Sequence, residues 1–255
     1  MSQWVISGLR TGIKSGRYPR VKEIAPGTVP GLPGATPLPA ERAQAIAARC
    51  PTGALDAANG GANVDLRRCI NCFRCVRNTD APMNWDYDYE CAVLPADGNG
   101  DASRLGPAFG GSAHILVVDA GDCGACLNEV KQLNNPYYNM HRLGFFLTPT
   151  PRHADLLLLV GALTEHMRVP LRKAYDAMPG PKRVIAVGAC ALSGGVFGRS
   201  FICAGGVKDL LPVDVEVPGN PPPPLAILHG LLVAVGRRPP GSLRRPLRES
   251  ESGAS

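Results

Sequence analysis

The sequence predicts an α/β fold in which an open parallel sheet follows a smaller α+β module, and three observations predict it. The stretches AHILVVDAG (113–121), ADLLLLVGAL (154–163) and RVIAVGAC (183–190) are short, near-continuous apolar runs, as strands buried on both faces of a parallel sheet require. Helical patterns such as VPLRKAYDAM (169–178) lie between them, so strand and helix alternate as in βαβ units. Ahead of this alternation stands a segment rich in Gly and Pro that carries four of the nine cysteines within 26 positions, 50 to 75. That composition suits a small loop-rich module.

In chain order, residues 1–37 read as an irregular arm because Gly and Pro recur through them. Residues 38–49 (LPAERAQAIAAR) place Pro near the start and good helix formers after it, which predicts a short helix delivering Cys50. The stretch LPADGNGDASRLGPAFGGS (94–112) has linker composition and marks a boundary between a module of residues 1–93 and a sheet domain of residues 113–236. A final helix, LAILHGLLVAVG, follows the prolines at 221–224. Residues 237–255 form a Pro/Arg/Ser tail expected to be disordered; its five arginines lack the amphipathic spacing of a membrane-binding helix.

No stretch approaches 18 consecutive apolar residues, and the N-terminus shows neither an apolar signal region nor a twin-arginine pair, which predicts a cytoplasmic protein. The net charge of +6 is spread along the chain, and no nucleic-acid-binding motif occurs, so nucleic acid is not an expected partner. Nucleophile–base pairs, a P-loop and a dinucleotide-binding glycine fingerprint are also missing, which speaks against a self-contained enzyme. In a reducing compartment nine clustered cysteines favour metal ligation over disulfides.

The first candidate site is Cys69-Ile70-Asn71-Cys72-Phe73-Arg74-Cys75, whose spacing offers three thiolates to three corners of one cluster. Bacterial ferredoxins take the fourth ligand from a distant Cys-Pro, and Cys50-Pro51 supplies one 19 residues upstream of Cys69. Cys50, Cys69, Cys72 and Cys75 thus form a complete set for a [4Fe-4S] cluster. Four thiolates would also suit zinc, but this spacing with a remote Cys-Pro is much more specific to iron and sulfide. On these residues, and on an opening arm with Thr11-Gly12 and Tyr18-Pro19, residues 1–93 resemble the two-cluster ferredoxin-like subunit of formate hydrogenlyase and its complex I relatives. Where that family carries its other four ligands this chain has Ala40, Ala43, Ile46 and Thr79, so the resemblance implies one cluster kept and one deleted as a set.

The second candidate site gathers Cys123 and Cys126, after the first apolar run, with Cys190, after the third, at the carboxyl ends of parallel strands, where open α/β sheets bind ligands. Together with Pro151-Arg152-His153-Ala154-Asp155, Gly188-Ala189-Cys190, Pro212-Val213-Asp214-Val215 and Pro218-Gly219, these residues make 113–237 resemble the small subunit of membrane-bound nickel-iron hydrogenases and the B-type subunit of complex I. The resemblance implies an open parallel, flavodoxin-like sheet preceded by a ferredoxin-like module. It also implies a second cluster on Cys123, Cys126 and Cys190, with Arg152 and His153 beside it. Family members read Pro-Gly-Cys-Pro-Pro where this chain has Pro218-Gly219-Asn220-Pro221-Pro222. Asn220 is the candidate fourth ligand, and a neutral amide is a poor match for soft iron. The second cluster is accordingly expected as [4Fe-4S] with Asn220 or water on one iron, as [3Fe-4S], or not at all. Glu129 is a candidate for proton or partner chemistry or a helix first-turn acid, Cys203 reads as structural, and Cys91 has no partner.

The functional expectation is an electron conduit that docks on a catalytic large subunit of hydrogenase or complex I type. Membrane antiporter-like subunits of the same complex and a ferredoxin-like donor or acceptor are the other implied partners, with the chain peripheral on the cytoplasmic membrane face. A structural or assembly subunit whose second cluster is lost is the alternative.

Overall fold

The computed structural model describes residues 2–12, 15–23, 29–58, 60–77, 82–95 and 107–241. The arm begins with helix α1 (Gln3–Thr11), where irregular backbone was expected. Of the glycines and prolines that suggest a loop, only Gly8 falls within it; the rest follow Gly12, which ends the helix at φ 66°. No residue of α1 is buried, and Trp4 and Leu9 stand exposed.

The small module then runs β1 (Leu32–Pro33), β2 (Thr36–Pro37), α2 (Ala40–Ala48), β3 (Leu55–Ala58), β4 (Gly61–Val64) and β5 (Trp85–Asp86). Strands β2, β4 and β3 form an antiparallel sheet in that order, and β1 pairs with β5. The predicted helix over 38–49 is α2, and Cys50 follows it directly. Ala43 and Ile46, two of the positions where the resemblance implied deleted cluster ligands, are buried in the core. Thr79 lies outside the described residues, as do 96–106 of the predicted linker.

The larger part contains β6 (Ala113–Asp119), α3 (Ala125–Gln132), β7 (Phe145–Leu147), β8 (Leu156–Val160), β9 (Leu163–Thr164), α4 (Arg168–Ala177), β10 (Arg183–Val187), α5 (Ala189–Ser193), β11 (Cys203–Gly205), β12 (Val215–Val217) and α6 (Pro224–Ala234). Five strands pair in parallel in the order β12-β10-β8-β6-β7, while β9 and β11 form a short antiparallel pair. In chain order this is the 2-1-3-4-5 winding of flavodoxin-like sheets, with its reversal between β6 and β8. Every residue of β8 and β10 is buried. Their side chains alternate between two cores: Leu156, Leu158, Val160, Ile185 and Val187 face α3 and α6, and Leu157, Leu159, Val184 and Ala186 face α4 and α5. Helices on both faces explain why these strands read as unbroken apolar runs.

Small module and sheet share one core. Tyr18, Leu32, Ala43, Ile46, Ala62 and Met83 belong to the same buried cluster as β8, β10 and α6. Helix α6 is buried at all its positions, which fits its apolar character all round. The predicted tail is not free from its start: the Arg238 guanidinium donates to the Pro19 carbonyl, that of Arg237 to the Leu143 carbonyl, and the Gly241 N–H to the Ala92 carbonyl at 2.7 Å. Residues 242–255 lie outside the described residues.

His229 of α6 fastens this end. Its Nδ1 accepts the Ala92 N–H at 3.2 Å, and its Nε2 lies 3.1 Å from the Pro239 carbonyl, which only a protonated Nε2 can satisfy. The ring is thus held neutral, and burial pulls its pKa below the ordinary 6.5. A base with a depressed folded-state pKa contributes stability that is complete above 6.5 and is lost as pH falls through that value, because the unfolded chain takes up the proton first. Thermal melts from pH 8 to pH 5 are expected to show this loss in the wild type and a flatter profile in His229→Leu. Equal slopes in the two proteins would contradict the assignment.

Candidate metal centres

The first site is built where α2 ends and the 69–75 loop folds back. Cys50 Sγ accepts the Ala54 N–H at 3.2 Å and lies 3.7 Å from Thr52 Oγ1. In the loop, Asn71 and Phe73 adopt positive φ (52° and 61°), unusual for residues with a Cβ. Alternation of this kind curls successive peptides into a concavity able to aim N–H groups at an anion or a cluster sulfide. Phe73 stacks on Trp85 at 4.8 Å between ring centroids, closing one side. Cys50, Cys69, Cys72 and Cys75 all line one hollow, of about 390 Å³ empty volume, together with Ile46, Leu55 and Trp85.

The electrostatics of this hollow disfavour four free thiolates. Burial pushes the Cys69 thiol up to about 12 against the Asn71 N–H, and charge on Cys75, Cys50 or Cys72 pushes it the same way. Cys75 is raised by burial and then by Cys72 and Cys50. Burial also acts upward on Cys50, but the N–H groups of Thr52, Ala54 and Leu55 and the Thr52 hydroxyl together bring it below the ordinary thiol value. A cationic group among the four would reverse this balance, since a thiol gives up its proton on binding a metal.

The second site lies at the carboxyl edge of the sheet, at the winding reversal. Asp119 at the end of β6 accepts the N–H groups of Gly121 and Asp122 at 2.8 and 2.6 Å. Asp122 in turn accepts those of Gly124 and Leu127, both at 3.0 Å, so its carboxylate caps the start of α3. Cys123 is exposed in the turn and Cys126 is buried in the first turn of α3. Gly188, between β10 and Cys190, has φ 89°, and a Cβ there would stand 2.7 Å from Cys126 Sγ. The loop after β10 thus passes against the sulfur of the helix after β6. Burial lifts Cys126 to about 12, with Asp122, Cys190 and Cys123 adding to it, and lifts Cys190, with Cys123, Asp122 and Cys203 adding. Three thiols therefore share one neighbourhood. Among the described residues no three His, Cys, Asp or Glu side chains lie close enough to hold a single metal ion.

Other sequence-predicted positions fall differently. Arg152 and His153 are exposed in a 3-10 turn that feeds the amino-terminal end of β8, where the Asp155 N–H meets the His114 carbonyl. Five strand residues, roughly 16 Å at strand rise, separate that end from the edge bearing Cys123, Cys126 and Cys190, so the structure does not bring the pair to these cysteines. Asn220 turns its Nδ2 to the Ile70 carbonyl at 3.2 Å, toward the first site's loop. Glu129 is half-buried on α3, and burial raises its carboxyl. Cys203 is buried in β11, and Cys91 is buried with its thiol 4.0 Å from the Pro218 carbonyl. Asp122, which holds the Cys123–Cys126 turn in place, was not singled out from sequence; an Asp just before a Cys-x2-Cys at a helix start is the signal that could have found it.

Against known proteins, the family model described as NADH ubiquinone oxidoreductase, 20 Kd subunit, matches residues 123–234. Formate hydrogenlyase subunit 7 of Escherichia coli is 42% identical over 125 residues, 49% of this chain and 49% of its own length, so the chain spans about half of that relative. An uncharacterised protein of Methanocaldococcus jannaschii is 42% identical over 130 residues, 48% of this chain and 86% of that protein. A probable membrane-bound hydrogenase subunit (mbhJ) of Pyrococcus furiosus is 40% identical over 133 residues, 52% of this chain and 80% of that protein.

Proposed function

Because the chain belongs to the NADH ubiquinone oxidoreductase 20 kDa subunit family, we propose that it is a non-catalytic, electron-relaying subunit of a membrane-associated oxidoreductase of hydrogenase or complex I type. The observation that carries this reading is the gathering of Cys50, Cys69, Cys72 and Cys75 around one hollow. Those four residues hold a [4Fe-4S] cluster, and Cys123, Cys126 and Cys190 hold a second, [4Fe-4S] or [3Fe-4S]. Bound clusters supply reversible one-electron chemistry.

The chain's own residues orient and insulate. Trp85, Phe73 and Ile46 give the first hollow an apolar wall, and Asp122 fixes the Cys123–Cys126 turn. The N-terminal residues lie before the matched span and share a buried core with the sheet, which supports reading the two sites as parts of one relay. The catalytic large subunit is the proposed neighbour of the second site. Val196, Phe197, Phe201 and Ile202, exposed apolar side chains in the segment after Cys190, support a partner there. Antiporter-like membrane subunits and a ferredoxin-like donor or acceptor complete the assembly. Among the described residues no helix is long and apolar enough to cross a membrane, which suits attachment through partners on the cytoplasmic face.

Anaerobic purification followed by iron, sulfide and zinc determination tests the reading. About seven to eight iron atoms and about eight sulfides per chain are expected from two clusters. Zinc without sulfide would overturn it, and iron near four per chain would leave the sheet domain as a structural subunit.

A further inference from the structure

We propose that Asn220 is a positioning residue that ties the second cysteine site to the ligand loop of the first, and that it does not serve as a metal ligand. The inference depends on both sites being iron–sulfur centres. Backbone just before Asn220 is sewn to the second site: the Gly188 N–H donates to the Val217 carbonyl, and the Ala189 N–H to the Gly219 carbonyl, both at 2.8 Å. A Cβ at Gly188 would meet Cys126 Sγ at 2.7 Å and the Gly219 carbonyl at 3.5 Å, so Gly219 borders the sulfur.

The side chain of Asn220 leaves in the other direction. Its amide meets the carbonyl of Ile70, 150 positions away and lying between Cys69 and Cys72. A carbonyl only accepts, so the amine of the amide must face it, and that bond fixes the amide plane. Two further contacts repeat along the same extended segment at every second residue. Glu216 pairs with Arg67 at 2.6 Å, and the Pro218 carbonyl receives the Cys91 thiol. Residues 216, 218 and 220 thus present one side to the small module, and Asn220 is the member that reaches a cluster loop. Its N–H partly neutralises the Ile70 carbonyl, whose lone pairs otherwise oppose added electron density at the first site.

The test compares Asn220→Leu and Asn220→Asp in the full chain, by iron and sulfide content, electron paramagnetic resonance and redox titration. Both variants are expected to keep the wild-type iron and sulfide counts and the second site's signal. The first site's reduction potential should fall in Leu and fall further in Asp, which adds a charge. A ligand role predicts the reverse pattern: Leu strips iron from the second site and leaves the first site's potential where it was. That outcome, or an unmoved potential with full iron, overturns the proposal. Should the wild type hold no iron and sulfide, the functional reading fails separately. The tie is then read in the metal-free chain, where amide exchange at residues 69–77 should quicken in Asn220→Leu; unchanged exchange would refute it there too.

Discussion

Gly188→Ala is expected to destabilise the whole chain and, on the proposed function, to cost the second site the iron assigned to it. The residue sits at φ 89° and ψ 156°, a region essentially confined to glycine, where a side chain strains the backbone by about 1–3 kcal/mol. The new Cβ would also stand 2.7 Å from Cys126 Sγ. Cys126 is buried on the first turn of α3, whose start is fixed by Asp122, so the sulfur has little room to yield. Overpacking of that kind costs about 1–3 kcal/mol, making roughly 2–6 kcal/mol in all. Gly124→Ala is the comparison: Gly124 also has a positive φ, 94°, but its ψ of -15° is left-handed helical, and a Cβ added there would meet no atom within 4 Å. Denaturant unfolding should show Gly188→Ala as the more damaging, by the clash and the harsher backbone region together, and on the proposed function only that variant should lose iron from the second site. Equal penalties would mean that the sulfur yields and the clash does not decide.

The parts of the fold legible in sequence are those whose burial is uniform. Runs such as 156–160 and 183–187 are apolar at nearly every position because both sheet faces are covered, and that signal is local. Strands β7 and β12 have three residues each, too few for any period to show, and they are defined by pairing with β6 and β10. The cysteine spacings were legible because ligand spacing is itself a local property; the structure puts Cys50, Cys69, Cys72 and Cys75 on the lining of one hollow and runs the loop before Cys190 against the Cys126 sulfur. The placement of Arg152 and His153 was not, since it depends on which end of β8 a turn feeds. Nor could Asn220 be read as more than a substituted ligand: its partner, Ile70, is far away in sequence and is met through a backbone carbonyl that leaves no residue signature. The tail was misjudged for a similar reason, as Arg237 and Arg238 bind carbonyls of Leu143 and Pro19.

The same seam explains why small module and sheet behave as one body. β12 is the edge strand of the parallel sheet, and Val93 covers it through two backbone hydrogen bonds with Glu216, both at 2.9 Å. An edge so covered is closed to pairing with another chain. Its central side chain is a carboxylate, which is costly to bury unless paired.

Arg67→Ala is therefore expected to be among the most destabilising single changes at this seam. The Glu216 side chain is 4% exposed and that of Arg67 30%, with Nε and Oε2 2.6 Å apart. Removing the arginine strands a carboxylate out of water, for which a loss of about 3 kcal/mol is the lower end of the usual range; the partial exposure of Arg67 argues for that lower end. Removing the acid instead leaves a guanidinium that can turn to solvent, so Glu216→Gln should cost about 1 kcal/mol. The double variant Arg67→Ala with Glu216→Gln should recover much of the larger loss, because the stranded charge is gone. Urea unfolding of the four proteins measures the cycle. If the two single changes cost the same, or if Arg67→Ala costs under about 1 kcal/mol, the pair behaves as a surface ion pair and the seam rests on the shared core and on contacts such as the Val93–Glu216 backbone and the Asn220–Ile70 bond.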